Sequence, residues 1–335
     1  MKLIRIESEG TGIALGEGER AVAVAAALPS FRAADAEAAA TIAELLPDPE
    51  GSWRELIASW ERGGPAFERL ATWAEQNQDP AGVRRLTELS LLAPLAGGDV
   101  QVFAVGANFS AHANLAQNQI YDEEQSIDER SRQMLEGKAA GVPPWGFTIL
   151  PRTIAAPGEE IRPPASVAKL DYEGEVAAIL RGSAGPDPGS DGIELWGYTA
   201  WNDLSIRDPH FGIGEKVDAG PMTWSLQKNF QTGSSCGPWV VIGEGRDLGR
   251  LGIRTTVNEE ERQRGTTAEM VYSFADCIAH FAHYLRLESG DMIVSGTPAG
   301  TAMEQGVDGP YLNPGDEVVV EVDGVAPLVN RVGGG

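Results

Sequence analysis

Residues 169–208 read KLDYEGEVAAIL, then RGSAGPDPGSDG, then IELWGYTAWNDLSIRD, a pattern that predicts two buried strands joined by a Gly/Pro/Ser/Asp loop. Val176 to Leu180 is a short apolar run of strand length. Glu173 and Glu175 stand just before it, and side chains two apart on an extended chain point to one side. Asp203 closely follows the second apolar segment, Leu195 to Trp201. Three carboxylates that converge repel one another unless a cation lies between them. An all-oxygen ligand set suits a hard ion, Mg²⁺, Mn²⁺ or Ca²⁺.

Upstream of this stretch, VFAVGANF at 102–109 predicts a strand that delivers Asn108 and, just beyond it, His112. Residues 113–142 include DEEQSIDERSRQMLEGK, whose charge predicts an exposed helix and a candidate lid beside the site. The proline-rich segment 143–164 predicts an extended, turning approach to the Glu173 strand. Downstream, Lys228 sits in a loop-rich segment between Leu226 and Phe230, a candidate buried cation facing the carboxylates. IRTTVNEEERQR at 253–264 predicts one strand. Ser273 and Asp276 form a capping box before the best helix, whose face is Phe274, Ile278, Phe281, Ala282 and Leu285 and whose stop is Gly290. His280 and His283 lack an acidic or thiol partner at ligand spacing and read as helix surface. MIVSGT then leads into a tight turn, PAGTA, and valines 318, 320 and 322 alternate in a final edge hairpin.

The first 90 residues read differently. LIRIES and AVAVAAAL predict short strands joined by a glycine-rich turn, GTGIALGEGE. Three helical stretches follow, divided by Pro47 and Pro49 and again by Pro65. With no catalytic grouping among them, residues 1–90 are expected to form a small α+β domain with a packing role. LLAPLAGGD marks the boundary, and residues 91–335 are expected to form a second domain that carries the candidate site. Strands outnumber helices there, so the expected class is α+β, mostly β, with a β-roll or distorted mixed barrel.

The 335 residues are long enough for a full-sized core, and 42% hydrophobic with 22% charged residues is a globular composition. A net charge of −23 argues against nucleic acid or an anionic membrane as partner. Two cysteines do not make a disulfide framework and suit a reducing cytoplasm. The N-terminus lacks a signal-peptide core, so a cytoplasmic protein is expected.

From about residue 88 to the end the chain resembles the fumarylacetoacetate hydrolase family. The pieces are LLAPLAGGDVQVFAVGANFSAH, LDYEGEVAAIL, GYTAWNDLSIRD, WSLQKNF, CGPWVV, LESGDMIVSGTPAG and LNPGDEVVVEVDGV, all in order. The resemblance implies a β-roll catalytic domain, a homodimer, a divalent cation and a small 2-oxo acid as substrate. It places metal ligands on Glu173, Glu175 and Asp203, catalytic roles on Lys228 and the general base His112, and substrate contacts on Asn108, Arg207, His210, Gly296 and Thr297. Some positions depart from the family pattern. The H-x-x-E glutamate is Leu115, which leaves Asn114, Gln117, His210 or a lid acid to orient His112; the glutamine of R-D-x-Q is His210; and the lysine after Phe147 is absent. The activity expected is metal-dependent hydrolysis of an acylpyruvate through an enolate. Alternatives are a decarboxylase, an isomerase or a 2-keto-3-deoxy sugar-acid dehydratase, and a non-catalytic binding homologue.

Overall fold

The computed structural model describes residues 1–77, 81–95, 100–121, 124–186, 192–213, 221–243 and 248–334. The apex of the 181–192 loop, the boundary segment 96–99 and residues 122–123 of the candidate lid lie outside the described residues. The strands Gly174–Ala184 and Gly192–Asn202 pair antiparallel, with Glu175 opposite Trp201 and Gly174 opposite Asn202. That register brings the start of one strand to the end of the other, and the Asp203 N–H donates to the Glu173 carbonyl at 2.9 Å. Val176, Ala178 and Leu180 enter one apolar cluster while Ala177 and Ile179 enter another. Both faces of the strand are therefore buried, which is why its sequence is a continuous apolar run.

This hairpin lies inside a 13-stranded sheet. Met292–Val294 flanks one side and Ser234–Ile242 the other. Beyond Met292–Val294 runs Val102–Val105, parallel to it, which carries the chain toward His112. A second sheet follows the order Glu260–Thr266, Gly252–Val257, Glu317–Val322, Leu328–Val332, Glu160–Ile161. The two sheets approach closely at Gly174, where a Cβ would lie 2.1 Å from Thr255 Oγ1. The residue between the two glutamates must therefore be glycine. The architecture combines helices and strands as the expected α+β class does, and among the described residues its large sheets do not close into a barrel.

Several local expectations are corrected. GTGIAL is a strand, Gly10–Leu15, because Gly12 gives room to Ile4 and Ile6, whose side chains lie within 3 Å of where its Cβ would be. AVAVAAAL divides into a strand ending at Ala23 and a helix, Val24–Ala34, as its alanine content favours. Pro65 lies inside the helix Trp60–Gln76, whose buried face of Trp60, Phe67, Leu70 and Ala74 outweighs the lost N–H; the break falls at Ser59. The strand 102–109 stops at Val105, and Ala107 has φ +53°. Lys228 ends a short helix, Pro221–Lys228. Residues 253–264 form a hairpin turned by Asn258 and Glu259, φ +50° and +68°, the pair of left-handed residues that a tight hairpin turn needs. The capping box of Ser273 and Asp276 is formed, but the helix ends at Tyr284, ahead of Gly290. The valine hairpin is interior, since Gly252–Val257 covers one side and Glu160–Ile161 the other.

The N-terminal strands continue the large sheet across the expected boundary at residue 90. Lys2–Ile6 pairs with Ser234–Ile242, and Leu3, Phe31, Trp53 and Trp60 share a core with Ile179, Trp196 and Trp201. No helix among the described residues is long and apolar enough to cross a membrane.

Candidate metal centre

Glu173, Glu175 and Asp203 each bring a carboxylate oxygen to within 4.8 Å of the others, and all three are buried. The paired strands impose this, since Glu173 and Glu175 alternate on one edge and Asp203 follows the residue opposite Gly174. Glu175 accepts the Gly296 N–H at 2.8 Å. Lys228 Nζ donates to Glu173 Oε2 at 2.6 Å and to Asp203 Oδ2 at 2.9 Å. Arg207 bridges Glu173 and Asp171, its Nε 3.1 Å from Asp171 Oδ2. Arg207, expected to touch substrate, thus has two carboxylates beside its guanidinium.

These contacts split the carboxylates electrostatically. Burial opposes ionisation of Glu173, but Lys228 and Arg207 outweigh it and hold its carboxyl down at about 2. Burial, then repulsion from Asp203 and Glu173, pushes Glu175 well above the usual carboxylate range. Burial pushes Asp203 up to about 6 despite Lys228, with Glu173 adding repulsion. Burial would lower Lys228, yet Asp203 and Glu173 prevail and keep it protonated. Asp203 Oδ1 is buried without a hydrogen-bond partner among the described residues. A lone pair left unmatched, beside two acids that resist ionisation, is the environment a hard cation relieves. The residues fit a divalent metal.

The other expected residues surround this centre. His210 lies in the turn Asp208–Phe211, and burial with Arg207 and Lys228 nearby pushes its imidazole down to about 4, so it is neutral near pH 7. The Phe147 ring lies 5.3 Å from Lys228 Nζ, and Trp145 stands 6.2 Å from Phe147 between ring centres. Asn108 clamps three backbone groups, donating to the Tyr272 and Ser295 carbonyls and accepting the Tyr272 N–H. Thr297 donates to the Gly174 carbonyl at 3.0 Å and accepts from Gln263 Nε2 at 2.7 Å. The candidate lid forms two helices, Ser110–Tyr121 and Ile127–Ala139, and the second is tethered by Lys138 to Asp276 and to the Val271 carbonyl.

His112 opens the first of those helices and lies within electrostatic reach of Glu173. Its partner is none of the four groups expected: Nδ1 lies 2.6 Å from Glu304 Oε1. The two residues are 192 apart in sequence, so no local spacing discloses the pair. Asn114 is instead engaged with the Gln125 carbonyl. Asp171 was also missed, although its signal is visible, because Asp171, Glu173 and Glu175 alternate in one extended run.

A family model described as Fumarylacetoacetate (FAA) hydrolase C-terminal matches residues 101–333. The protein named oxaloacetate tautomerase YisK of Bacillus subtilis is 28% identical over 303 residues, covering 87% of this chain and 88% of that protein. An Escherichia coli 4-hydroxyphenylacetate degradation bifunctional isomerase/decarboxylase is 30% identical over 239 residues, 69% of this chain and 46% of that one. The same fold occurs in a maleylpyruvate hydrolase from Sphingobium sp. SYK-6, solved with manganese(II) and pyruvate. That structure superposes at TM-score 0.66 over 99% of both chains, at 19% identity.

Proposed function

The chain belongs to the fumarylacetoacetate hydrolase family, and from that premise we propose that it is a divalent-metal-dependent hydrolase of a small 2-oxo acid of the acylpyruvate type. One observation carries this: a buried carboxylate triad, with the imidazole–carboxylate pair His112–Glu304 within electrostatic reach of Glu173. A divalent ion held by Glu173, Glu175 and Asp203 would supply Lewis acidity that polarises the 2-oxo group. Mg²⁺, Mn²⁺ and Ca²⁺ all suit the ligand set, and the manganese and pyruvate bound by the Sphingobium protein are of the same chemical kind.

The chain's own residues do the rest. His112 takes a proton from water, with Glu304 fixing the ring and stabilising the imidazolium that forms. The hydroxide adds to the acyl carbon, and the bond from that carbon to C3 breaks. Its electron pair moves onto C3 and the 2-oxo group as the enolate of pyruvate. Protonated Lys228 neutralises charge that develops there. A proton returned to C3 completes pyruvate, and the acyl fragment leaves as a carboxylic acid.

A second reading is favoured by the Bacillus relative, which matches 88% of its length. Keto–enol tautomerisation uses the same base and the same enolate but no water. Assays of the Mn²⁺-loaded protein on acetylpyruvate and on enol-oxaloacetate separate the two readings. Pyruvate release from acetylpyruvate, lost in His112→Ala, is expected. Enol decay faster than background with acetylpyruvate untouched would replace hydrolysis by tautomerisation.

A further inference from the structure

Asp171 lies two residues before Glu173 and is fully buried, yet it is not one of the carboxylates that converge as the candidate metal group. Its carboxylate receives the Ala302 N–H at 2.8 Å, the Met303 N–H at 3.1 Å, the Tyr172 N–H at 2.9 Å and Arg207 Nε at 3.1 Å. Ala302 and Met303 begin the turn Ala302–Gln305, whose first N–H groups have no partner within the turn itself. The third residue of that turn is Glu304. One of its oxygens meets His112, and the other accepts the Gly300 N–H at 2.8 Å. Next to Asp171, the Tyr172 hydroxyl donates to the Gly300 carbonyl at 3.1 Å. Gly300 has φ +115°, and a Cβ there would lie 2.0 Å from the Arg262 carbonyl oxygen. The entry to the turn is thus held by one dipeptide, Asp171-Tyr172.

We propose that Asp171 is a positioning residue that acts on His112 through Glu304, by fixing the turn from which Glu304 reaches the imidazole. This rests on the reading of His112 as the base. A carboxylate suits the place because it offers two accepting oxygens to four donors. An asparagine offers one oxygen and an NH₂ group, which must face either the Ala302 and Tyr172 N–H groups or the Met303 N–H and Arg207, and either choice leaves buried donors opposed. The same run of chain carries both halves of the site: Asp171 sets the partner of the base and Glu173 binds the cation. Arg207 joins them.

A double-mutant cycle with Asp171→Asn and Glu304→Gln tests this, read by kcat and KM, by Mn²⁺ affinity, and by the ¹⁵N signals of His112 assigned against His112→Ala. Each single variant should lower kcat on the order of tenfold, as changes behind a reacting residue do. KM and Mn²⁺ affinity should change by less than kcat does. The double variant should be no slower than the slower single. The His112 ring signals should change alike in both singles, and Tyr172→Phe, which releases only the Gly300 carbonyl, should move them the same way by less. Losses that multiply in the double variant would place Asp171 in some other role. Loss of Mn²⁺ binding in parallel with kcat would make it merely structural. The ¹⁵N readout needs no turnover: unchanged His112 signals in Asp171→Asn overturn the positioning whatever reaction the protein catalyses, while a failure on 2-oxo acids alone touches only the function proposed above.

Discussion

Glu173, Glu175 and Asp203 are under opposed demands, and that opposition makes their behaviour predictable. Removing one oxygen donor lowers the charge offered to a dication, so Glu173→Gln and Asp203→Asn should each weaken Mn²⁺ binding at least about tenfold. Titration calorimetry that returned the parent's affinity for both variants would exclude this site. The pH dependence follows from the raised acids. Asp203 rises from its ordinary 3.8 to about 6 when folded. Between those values the folded chain binds more protons than the unfolded one, so this group's contribution to metal-free stability falls as pH rises through the window. A cation needs the same carboxylates ionised and displaces their protons. Mn²⁺ should therefore raise the melting temperature more at pH 7.5 than at pH 5, and its uptake near pH 6 should release protons. Equal shifts at both pH values would show that these acids are not the ligands. The triad was legible because all of it lies in one alternating stretch. Glu304 was not, because its contact with His112 spans 192 residues.

Elements were legible where one face of a segment is buried and illegible where packing overrides the local pattern. The helix after Ser273 announces its start through its cap, and the valines at 318, 320 and 322 announce a strand whose alternate side chains are buried. The Asn258–Glu259 turn was missed because a run of glutamates carries none of the glycine that marks most such turns. Pro65 misled because a proline's cost, about 3 kcal/mol, is smaller than what a wholly apolar helix face recovers on burial. Gly174 shows the same precedence at the site. Sequence alone gives no reason for glycine between two metal ligands; the second sheet does, through Thr255 at 2.1 Å from the missing Cβ. Gly174→Ala should therefore cost about 1–3 kcal/mol in urea unfolding, as overpacking does. It should also weaken Mn²⁺ binding by moving Glu173 and Glu175 apart from Asp203. A variant as stable as the parent would mean that the sheets separate there at no cost.

For the whole molecule, the first 90 residues are the test of how the chain is divided. The change of composition at LLAPLAGGD marks a joint in the sequence, but the large sheet runs across it. Leu3 lies opposite Val240, and the Trp60 ring meets Trp196 edge-on at 5.1 Å. Without residues 1–90, Ile179, Trp196, Trp201 and Val240 would lose the side chains packed on them. Each large apolar side chain returned to water costs about 1.5–3 kcal/mol. A few of them use up much of the roughly 5–15 kcal/mol by which a domain is stable. The strand Ser234–Ile242 would also lose its pairing with Lys2–Ile6 and become an open edge, a template for aggregation. Because Ser234–Ile242 holds the strand that ends at Asn202, next to Asp203, the damage reaches the metal centre. A fragment of residues 91–335 should accordingly be aggregated or lack a cooperative melt, and should not bind Mn²⁺ as the full chain does. Size-exclusion chromatography and Mn²⁺ titration check this together. A monodisperse fragment with the full chain's affinity would show that residues 91–335 fold by themselves, with the first 90 as an attachment.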